Sequence, residues 1–117
     1  MEKIRFKVIH LEDSVEFLNE IDKKARDKIT FNISKAQSRL DPRLFKKIDA
    51  VLWEFRTEHR GMQYRLLAFW HRKNGNLALV ITTHGFVKKT DKVPAKEVAR
   101  AHELRNQFLS NEEEADR

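Results

Sequence analysis

Apolar residues recur along this chain at two spacings, one typical of strands and the other of helices. Residues 4–9 alternate apolar and polar side chains, which predicts a first strand with one buried face. Helical spacing follows over residues 15–25 and again from Ile29 to Leu40. The join near Arg26-Asp27 fits either a tight helical hairpin or one long kinked helix. Asp41-Pro42 ends this region, because the residue before a proline avoids helical backbone angles.

The second half of the chain has the pattern of three strands and a helix. Residues 44–48 predict a turn or a single helical turn, and strand candidates follow at about 50–56, 63–71 and 76–86. Asn74-Gly75 is the strongest short hairpin signal, so we expect these strands to form an antiparallel meander. Pro94 then starts a final helix at the favoured first position. Its partly apolar face comprises Val98, Ala101, Leu104, Phe108 and Leu109.

This order of elements predicts an α+β fold: a strand, two helices, a three-stranded antiparallel meander and a C-terminal helix. We expect the helices to pack on one face of a small sheet, with the first strand pairing at an edge or in a central slot. Residues 1–110 are expected to form a single domain, since the chain of 117 residues leaves little room for a second. The acidic segment 111–117 is predicted to be a disordered tail.

The net charge of the chain bears on the class of partner that it binds. The chain has 24 Lys and Arg against 18 Asp and Glu, a net charge of +6, which is typical of proteins that bind nucleic acid. A basic protein with a merely solvated surface fits this composition about as well. There is no cysteine, so disulfides and thiolate chemistry are excluded. The charged N-terminus lacks a signal peptide's apolar core, and no apolar run approaches the roughly 20 residues of a membrane span. We expect a cytoplasmic protein with no membrane partner.

Two arginines lie in neighbouring predicted strands. If Phe55 and Leu66 face the helices, alternation places Arg56 and Arg65 together on the open face of the sheet. Two guanidinium groups on a concave sheet can hold phosphates through paired hydrogen bonds. An equally good alternative is an exposed sheet face on which Glu54 pairs with an arginine across the strands.

The segment from His84 to Thr90 forms the rim of the predicted sheet. Gly85 permits a bend or a close backbone approach at the strand end, and Lys88 and Lys89 follow. His84 is the histidine best placed for proton transfer near neutral pH. The alternative is that His84 is a half-buried strand residue bonded to backbone, and that the lysines form a solvated loop.

Other motifs exclude several kinds of site. No spacing of His, Asp and Glu matches a zinc or calcium site, three glycines do not make a phosphate-binding loop, and no nucleophilic serine motif is present. We therefore predict neither a metal nor a cofactor. RNA cleavage by this chain would use the RNA 2′-hydroxyl as the nucleophile against the adjacent phosphate, with Arg and Lys stabilising the developing charge.

Three motifs occur in order: a strand ending in Glu54-Phe55-Arg56, a strand opening with Tyr64-Arg65, and His84-Gly85-Phe86-Val87-Lys88-Lys89-Thr90 with Pro94 shortly after. This pattern resembles the RelE/ParE toxin superfamily, and within it the HigB-like, phage-derived branch, over about residues 4–109. The resemblance implies the toxin of a type II toxin–antitoxin system. Such a toxin is a ribosome-dependent mRNA endonuclease, or mRNA interferase, that blocks translation. Its implied partners are mRNA, the ribosome and a cognate antitoxin, expected to be a helix-turn-helix protein.

The resemblance also implies roles for individual residues. The catalytic set carried over is Arg56, Arg65, Lys88, Lys89 and His84. The set assigned to RNA binding is Glu54, His59, Arg60, Tyr64 and Thr90. Relatives often use a tyrosine or histidine near the C-terminus as acid or base, and His84 is the nearest substitute because the only tyrosine is Tyr64. ParE-type relatives poison DNA gyrase, so one alternative is a non-catalytic inhibitor of gyrase or of another protein. A second alternative is a degenerate prophage remnant that folds but no longer acts.

Overall fold

A computed structural model describes residues 3–72 and 78–117 of the chain, and these residues form five strands and three helices. In chain order the elements are β1 (Lys7–His10), α1 (Glu12–Glu20), α2 (Lys23–Ser38), β2 (Phe45–Lys47), β3 (Leu52–His59), β4 (Met62–Arg72), β5 (Ala78–Lys88) and α3 (Ala95–Ala115). The hairpin predicted at Asn74-Gly75 lies outside the described residues. The fold class is α+β.

The strands form one mixed five-stranded sheet in the order β1-β5-β4-β3-β2. β3, β4 and β5 pair antiparallel, and β1 lies at an edge, parallel to β5, with Lys7 opposite Leu79. β2 extends the antiparallel part, with Phe45 opposite Phe55. The sequence predicted a turn at β2, because three residues are too few to establish an alternating pattern.

The helices cover both faces of the sheet, so the expectation that they pack on one face was wrong. Side chains of α1 and α2 pack with Tyr64, Leu66 and Ala68 of β4, whereas α3 packs against Leu67 and Phe69 on the opposite face. The cause is visible along β4, which is buried continuously from Tyr64 to Phe69. A central strand that is apolar on both faces requires cover on both.

The first two helices are separate, and they join earlier than the sequence suggested. α1 ends at Glu20 and α2 begins at Lys23, with Asp22 as the N-cap residue. The Asp22 Oδ2 atom accepts a hydrogen bond of 3.4 Å from the backbone N–H of Ala25. This contact satisfies one of the free N–H groups of the first turn and starts a new helix.

The acidic C-terminal segment, residues 111–117, is helical as far as Ala115. α3 continues to Ala115, and Nε2 of His71 lies 2.9 Å from Oε1 of Glu112. This contact with β4 ties the last turns of α3 to the sheet. Within the described residues, none of the helices combines the length and apolar character needed to span a bilayer.

Gly85 lies inside β5 rather than at its end, and it allows α1 to approach the strand closely. It lies opposite Leu66, beside a register shift between Leu66 and Ala68. The aromatic ring of Phe17 in α1 occupies the space that a Cβ atom on this glycine would need. The position therefore excludes any side chain as long as that ring stays in place.

We expect Gly85→Ala to destabilise the protein by about 1–3 kcal/mol, because the added methyl group collides with Phe17 in a packed core. Urea unfolding of the variant and wild type measures this change. In a Phe17→Ala background the same substitution should cost much less. An equal cost in both backgrounds would show that the ring contact is not the cause.

Candidate functional site

α3 covers only part of its face of the sheet. The covered part is apolar and holds Leu52, Phe69 and Ile81, packed with Ala101 and Phe108 of α3. The strand positions beyond the start of α3 carry charged side chains instead, and they line two adjoining hollows of about 270 Å³ and 400 Å³. We call these two hollows together the basic cleft.

Cations outnumber carboxylates in the basic cleft. Its cations are Arg43, Lys46, Lys47, Arg56, Arg65, Lys88 and Lys92, and its carboxylates are Glu54, Glu58 and Asp91. Arg56 lines both hollows. Arg56, Arg65 and Lys88 of the expected catalytic set are thus brought together, as strand alternation predicted for the two arginines.

Arg65 is buried, and its charge is paired within the protein. Its side chain is 3% exposed, and its Nε atom lies 2.7 Å from Oε1 of Glu54. This contact is an ion pair without a well-aligned hydrogen bond. The other guanidinium nitrogens donate to the Tyr64 carbonyl at 2.9 Å and to Oε1 of Gln63 at 3.3 Å. Burial lowers the pKa of Arg65, while Glu54 acts in the opposite direction.

Arg56 faces Arg65 directly across the β3–β4 pair, and its side chain remains 30% exposed. Its Nε atom lies 3.9 Å from the same Glu54 oxygen, and its Nη1 atom donates to the Pro42 carbonyl at 3.1 Å. Like charges at opposed positions repel, and the shared carboxylate offsets that repulsion. The alternative in which Glu54 pairs with an arginine across strands therefore describes Arg65, whereas Arg56 is left accessible to a ligand.

Lys88 closes the basic cleft on β5. It lies opposite Gln63 of β4 and is half-buried. Burial lowers the pKa of Lys88, and the nearby guanidinium of Arg65 lowers it further. The Lys88 ammonium group therefore gives up its proton more readily than an exposed lysine, which is the property needed for proton transfer.

His84 does not line the basic cleft. It is buried, with Nε2 at 3.2 Å from Oε1 of Glu97 in α3 and Nδ1 at 3.1 Å from Oγ1 of Thr83. It borders a separate hollow together with Gly85 and Arg100. Burial lowers the pKa of His84, which favours the neutral ring. These contacts attach α3 to β5 through side chains, rather than the backbone bonds considered from the sequence.

Tyr64 and His59, both expected to bind RNA, lie elsewhere. Tyr64 is buried on the α1–α2 face, with its ring centroid 6.4 Å from that of Phe17, and its hydroxyl donates to Sδ of Met62 at 3.7 Å. His59 points to the start of α2, with Nε2 4.0 Å from Oδ2 of Asp22. Strand alternation puts Tyr64 opposite to Arg65 and so removes it from the basic cleft.

The remaining expected residues are at exposed connections. Arg60 and Gly61 form the two-residue turn between β3 and β4, with φ angles of 51° and 77°, the combination that a type I′ hairpin requires. Lys89 and Thr90 follow the end of β5, and Oγ1 of Thr90 donates to the Lys92 carbonyl at 2.8 Å. None of these residues lines the basic cleft.

The sequence reasoning missed the cations contributed by β2 and its flanks. Lys46 lies opposite Glu54 in the β2–β3 pair, and Lys46 and Lys47 line the larger hollow. Arg43 precedes β2 and is held by Asp41, with Nη2 of Arg43 at 2.9 Å from Oδ2. The signal was the pair of lysines between Phe45 and Ile48, which fits a short edge strand as well as a turn.

Metal coordination has no support in the described parts of the chain. Residues 3–72 and 78–117 contain no group of three or more His, Cys, Asp or Glu side chains placed to hold a metal ion. The basic cleft itself offers nitrogen cations, which attract anions rather than metal ions. The chemical character of the basic cleft is therefore that of an anion-binding site.

Comparison with models of known protein families matches residues 16–106 to the family described as Phage derived protein Gp49-like (DUF891). The matched segment starts in α1, ends in α3 and contains every strand of the basic cleft. No curated protein matches the chain.

We expect Arg65→Ala to destabilise the protein by about 3–5 kcal/mol, because it leaves the Glu54 carboxylate buried without its closest cation. Arg56→Ala should cost less than about 1 kcal/mol, because its contact with Glu54 is longer and partly exposed. Urea unfolding of both variants measures the difference. Adding Glu54→Gln to Arg65→Ala should recover part of the loss. Equal stability of the two single variants would contradict this assignment.

Proposed function

The chain belongs to the phage-derived Gp49-like family, and we propose that it is the toxin of a type II toxin–antitoxin system. This family is one of the known RelE/toxin-like families. The proposed activity is that of the HigB-like branch, a metal-independent and ribosome-dependent mRNA endonuclease. Its partners would be mRNA, the ribosome and a helix-turn-helix antitoxin, and its place of action the cytoplasm.

The observation that carries this proposal is the basic cleft. Side chains far apart in sequence, from Arg43 to Lys92, meet where α3 leaves the sheet uncovered. A nucleic acid backbone presents one negative charge per nucleotide, and a protein binds it by placing several cations along one path. The two hollows that Arg56 lines offer room for phosphates next to an accessible guanidinium.

The proposed reaction needs only groups that RNA and the basic cleft supply. The 2′-oxygen attacks the adjacent phosphorus, the bond to the 5′-oxygen breaks, and a cyclic phosphate and a free 5′-hydroxyl result. One proton leaves the 2′-hydroxyl and one is gained by the departing oxygen. Arg56 would stabilise the charge that develops on the phosphoryl oxygens, and Lys88 would transfer a proton, as its lowered pKa favours.

A second candidate is a non-catalytic inhibitor of DNA gyrase with the same fold. What favours it is the location of the usual acids and bases: His84 and Tyr64 both lie outside the basic cleft, and the charge of Arg65 is paired with Glu54. On this hypothesis the exposed cations would bind an acidic protein surface. Purified protein would then arrest DNA supercoiling and leave mRNA intact.

We expect purified protein to cleave mRNA on translating ribosomes, and Arg56→Ala or Lys88→Ala to slow cleavage by about 100-fold, as loss of one charge-stabilising group does in other enzymes. Primer extension on the message measures the rate. The matched controls remove one positive charge outside the basic cleft: Arg117→Ala on the last residues and Lys7→Ala on the edge strand β1.

Both controls should cleave at the wild-type rate, since neither residue lines the basic cleft. Undiminished cleavage by folded Arg56→Ala and Lys88→Ala would contradict the proposed site. Intact mRNA with all variants, accompanied by inhibited supercoiling, would favour the gyrase hypothesis.

A further inference from the structure

The Glu54 side chain is an unusual occupant of a site for RNA. It is 8% exposed and projects from the interior strand β3 into the basic cleft. Its Oε1 atom lies 2.7 Å from Nε of Arg65 and 3.9 Å from Nε of Arg56. A carboxylate therefore already occupies the position between the two guanidinium groups, where an RNA phosphate would gain most.

The contact between Glu54 and Arg65 is close but incompletely bonded. Oε1 of Glu54 and the Nε atoms of Arg56 and Arg65 are buried polar atoms without a hydrogen-bond partner. Arg65 is held by other bonds, to the Tyr64 carbonyl and to Gln63. The guanidinium group would therefore keep its place if the carboxylate moved, and its Nε–H group would be ready to donate to another anion.

Glu54 also has a second cation within reach. Lys46 lies directly opposite Glu54 in the β2–β3 pair, lines the same hollow and is exposed. Side chains at opposed positions on one face begin only about 5 Å apart. A rotation of the Glu54 side chain toward Lys46 would keep the carboxylate paired, while Arg65 and Arg56 donate hydrogen bonds to a phosphate.

We infer that Glu54 occupies the position of a substrate phosphate: in the free protein its carboxylate pairs with Arg65 and lies near Arg56, and RNA binds by displacing it. This inference rests on the proposed function, in which the basic cleft holds an RNA backbone. Glu54 is then a positioning residue that keeps two opposed arginines together before RNA arrives. This role differs from the direct RNA binding that the sequence resemblance implied for Glu54. Its carboxylate competes with RNA phosphates and so lowers RNA affinity. The same carboxylate stabilises the two opposed arginines in the folded protein and keeps the basic cleft preorganised.

Glu54→Gln tests this inference because it keeps the shape of the side chain and removes the charge. The probe is a fluorescent single-stranded 2′-O-methyl oligoribonucleotide, which cannot be cleaved because its nucleophile is blocked. We expect the variant to bind about tenfold more tightly than wild type, a change that fluorescence anisotropy measures.

The matched control is Glu113→Gln, which removes the same charge from a side chain that is 74% exposed near the end of α3. It should bind within about twofold of wild type, because an exposed charge far from the ligand is largely screened. Equal or weaker binding by Glu54→Gln would overturn the inference. So would equal tightening by both variants, which would show a general charge effect only.

A second measurement uses the wild-type protein and covers the case that Glu54→Gln does not fold. On titration with the same oligonucleotide, the side-chain Nε–H resonance of Arg65 should shift as its counter-ion changes from carboxylate to phosphate. An unmoved resonance at saturation would overturn the inference. The binding assays need neither ribosomes nor cleavage, so mRNA left intact despite the expected binding would contradict only the proposed nuclease activity.

Discussion

The ion pair between Glu54 and Arg65 is the interaction on which the charged half of the sheet depends. β3 and β4 are interior strands, and their opposed residues Arg56 and Arg65 place two cations side by side. Buried like charges are costly unless a counter-ion lies between them. The Glu54 carboxylate provides it, at 2.7 Å from one guanidinium nitrogen and 3.9 Å from the other.

The position of α3 decides how much of this face remains open. Histidine–carboxylate pairs connect α3 along its length to the strands and to the β2–β3 connection: His84 with Glu97, His102 with Asp49, and His71 with Glu112. Asp49 also accepts hydrogen bonds from the backbone N–H groups of Val51 and Leu52, so one carboxylate fixes both the start of β3 and the middle of α3. Apolar side chains lie under the helix, and the cations beyond its start form the basic cleft.

Sequence patterns predicted those features that depend on residues close together along the chain. Alternation along β3 and β4 placed Arg56 and Arg65 on one face, and the proline at 94 marked the start of α3 within one residue. The apolar residues 66–70 of β4 indicate that helices cover both faces of the sheet, whereas we expected them on one face only. The lysines of β2 could not be assigned, because a three-residue edge strand gains its identity from pairing with β3.

The sequence alone does not predict which charged side chains pair with each other. Whether Glu54 bonds to Arg65 or remains in solvent depends on their depth in the sheet, which is a tertiary property. The pairing of His84 is also a tertiary property, because its partner Glu97 lies thirteen residues further along the chain, in α3. A motif identifies such residues as a set, but only packing separates those that face the basic cleft from those that fasten α3.

The central claim is that the uncovered, cationic half of the sheet holds an RNA backbone. The most direct measurement is an electron cryomicroscopy structure of the protein on a translating ribosome with an mRNA whose 2′-hydroxyl groups are blocked at the cleavage site. We predict mRNA phosphates in the basic cleft, within hydrogen-bond distance of Arg56 and Lys88, with the Glu54 carboxylate turned away from Arg65. An mRNA that runs past another face of the protein, with the basic cleft open to solvent, would contradict the account.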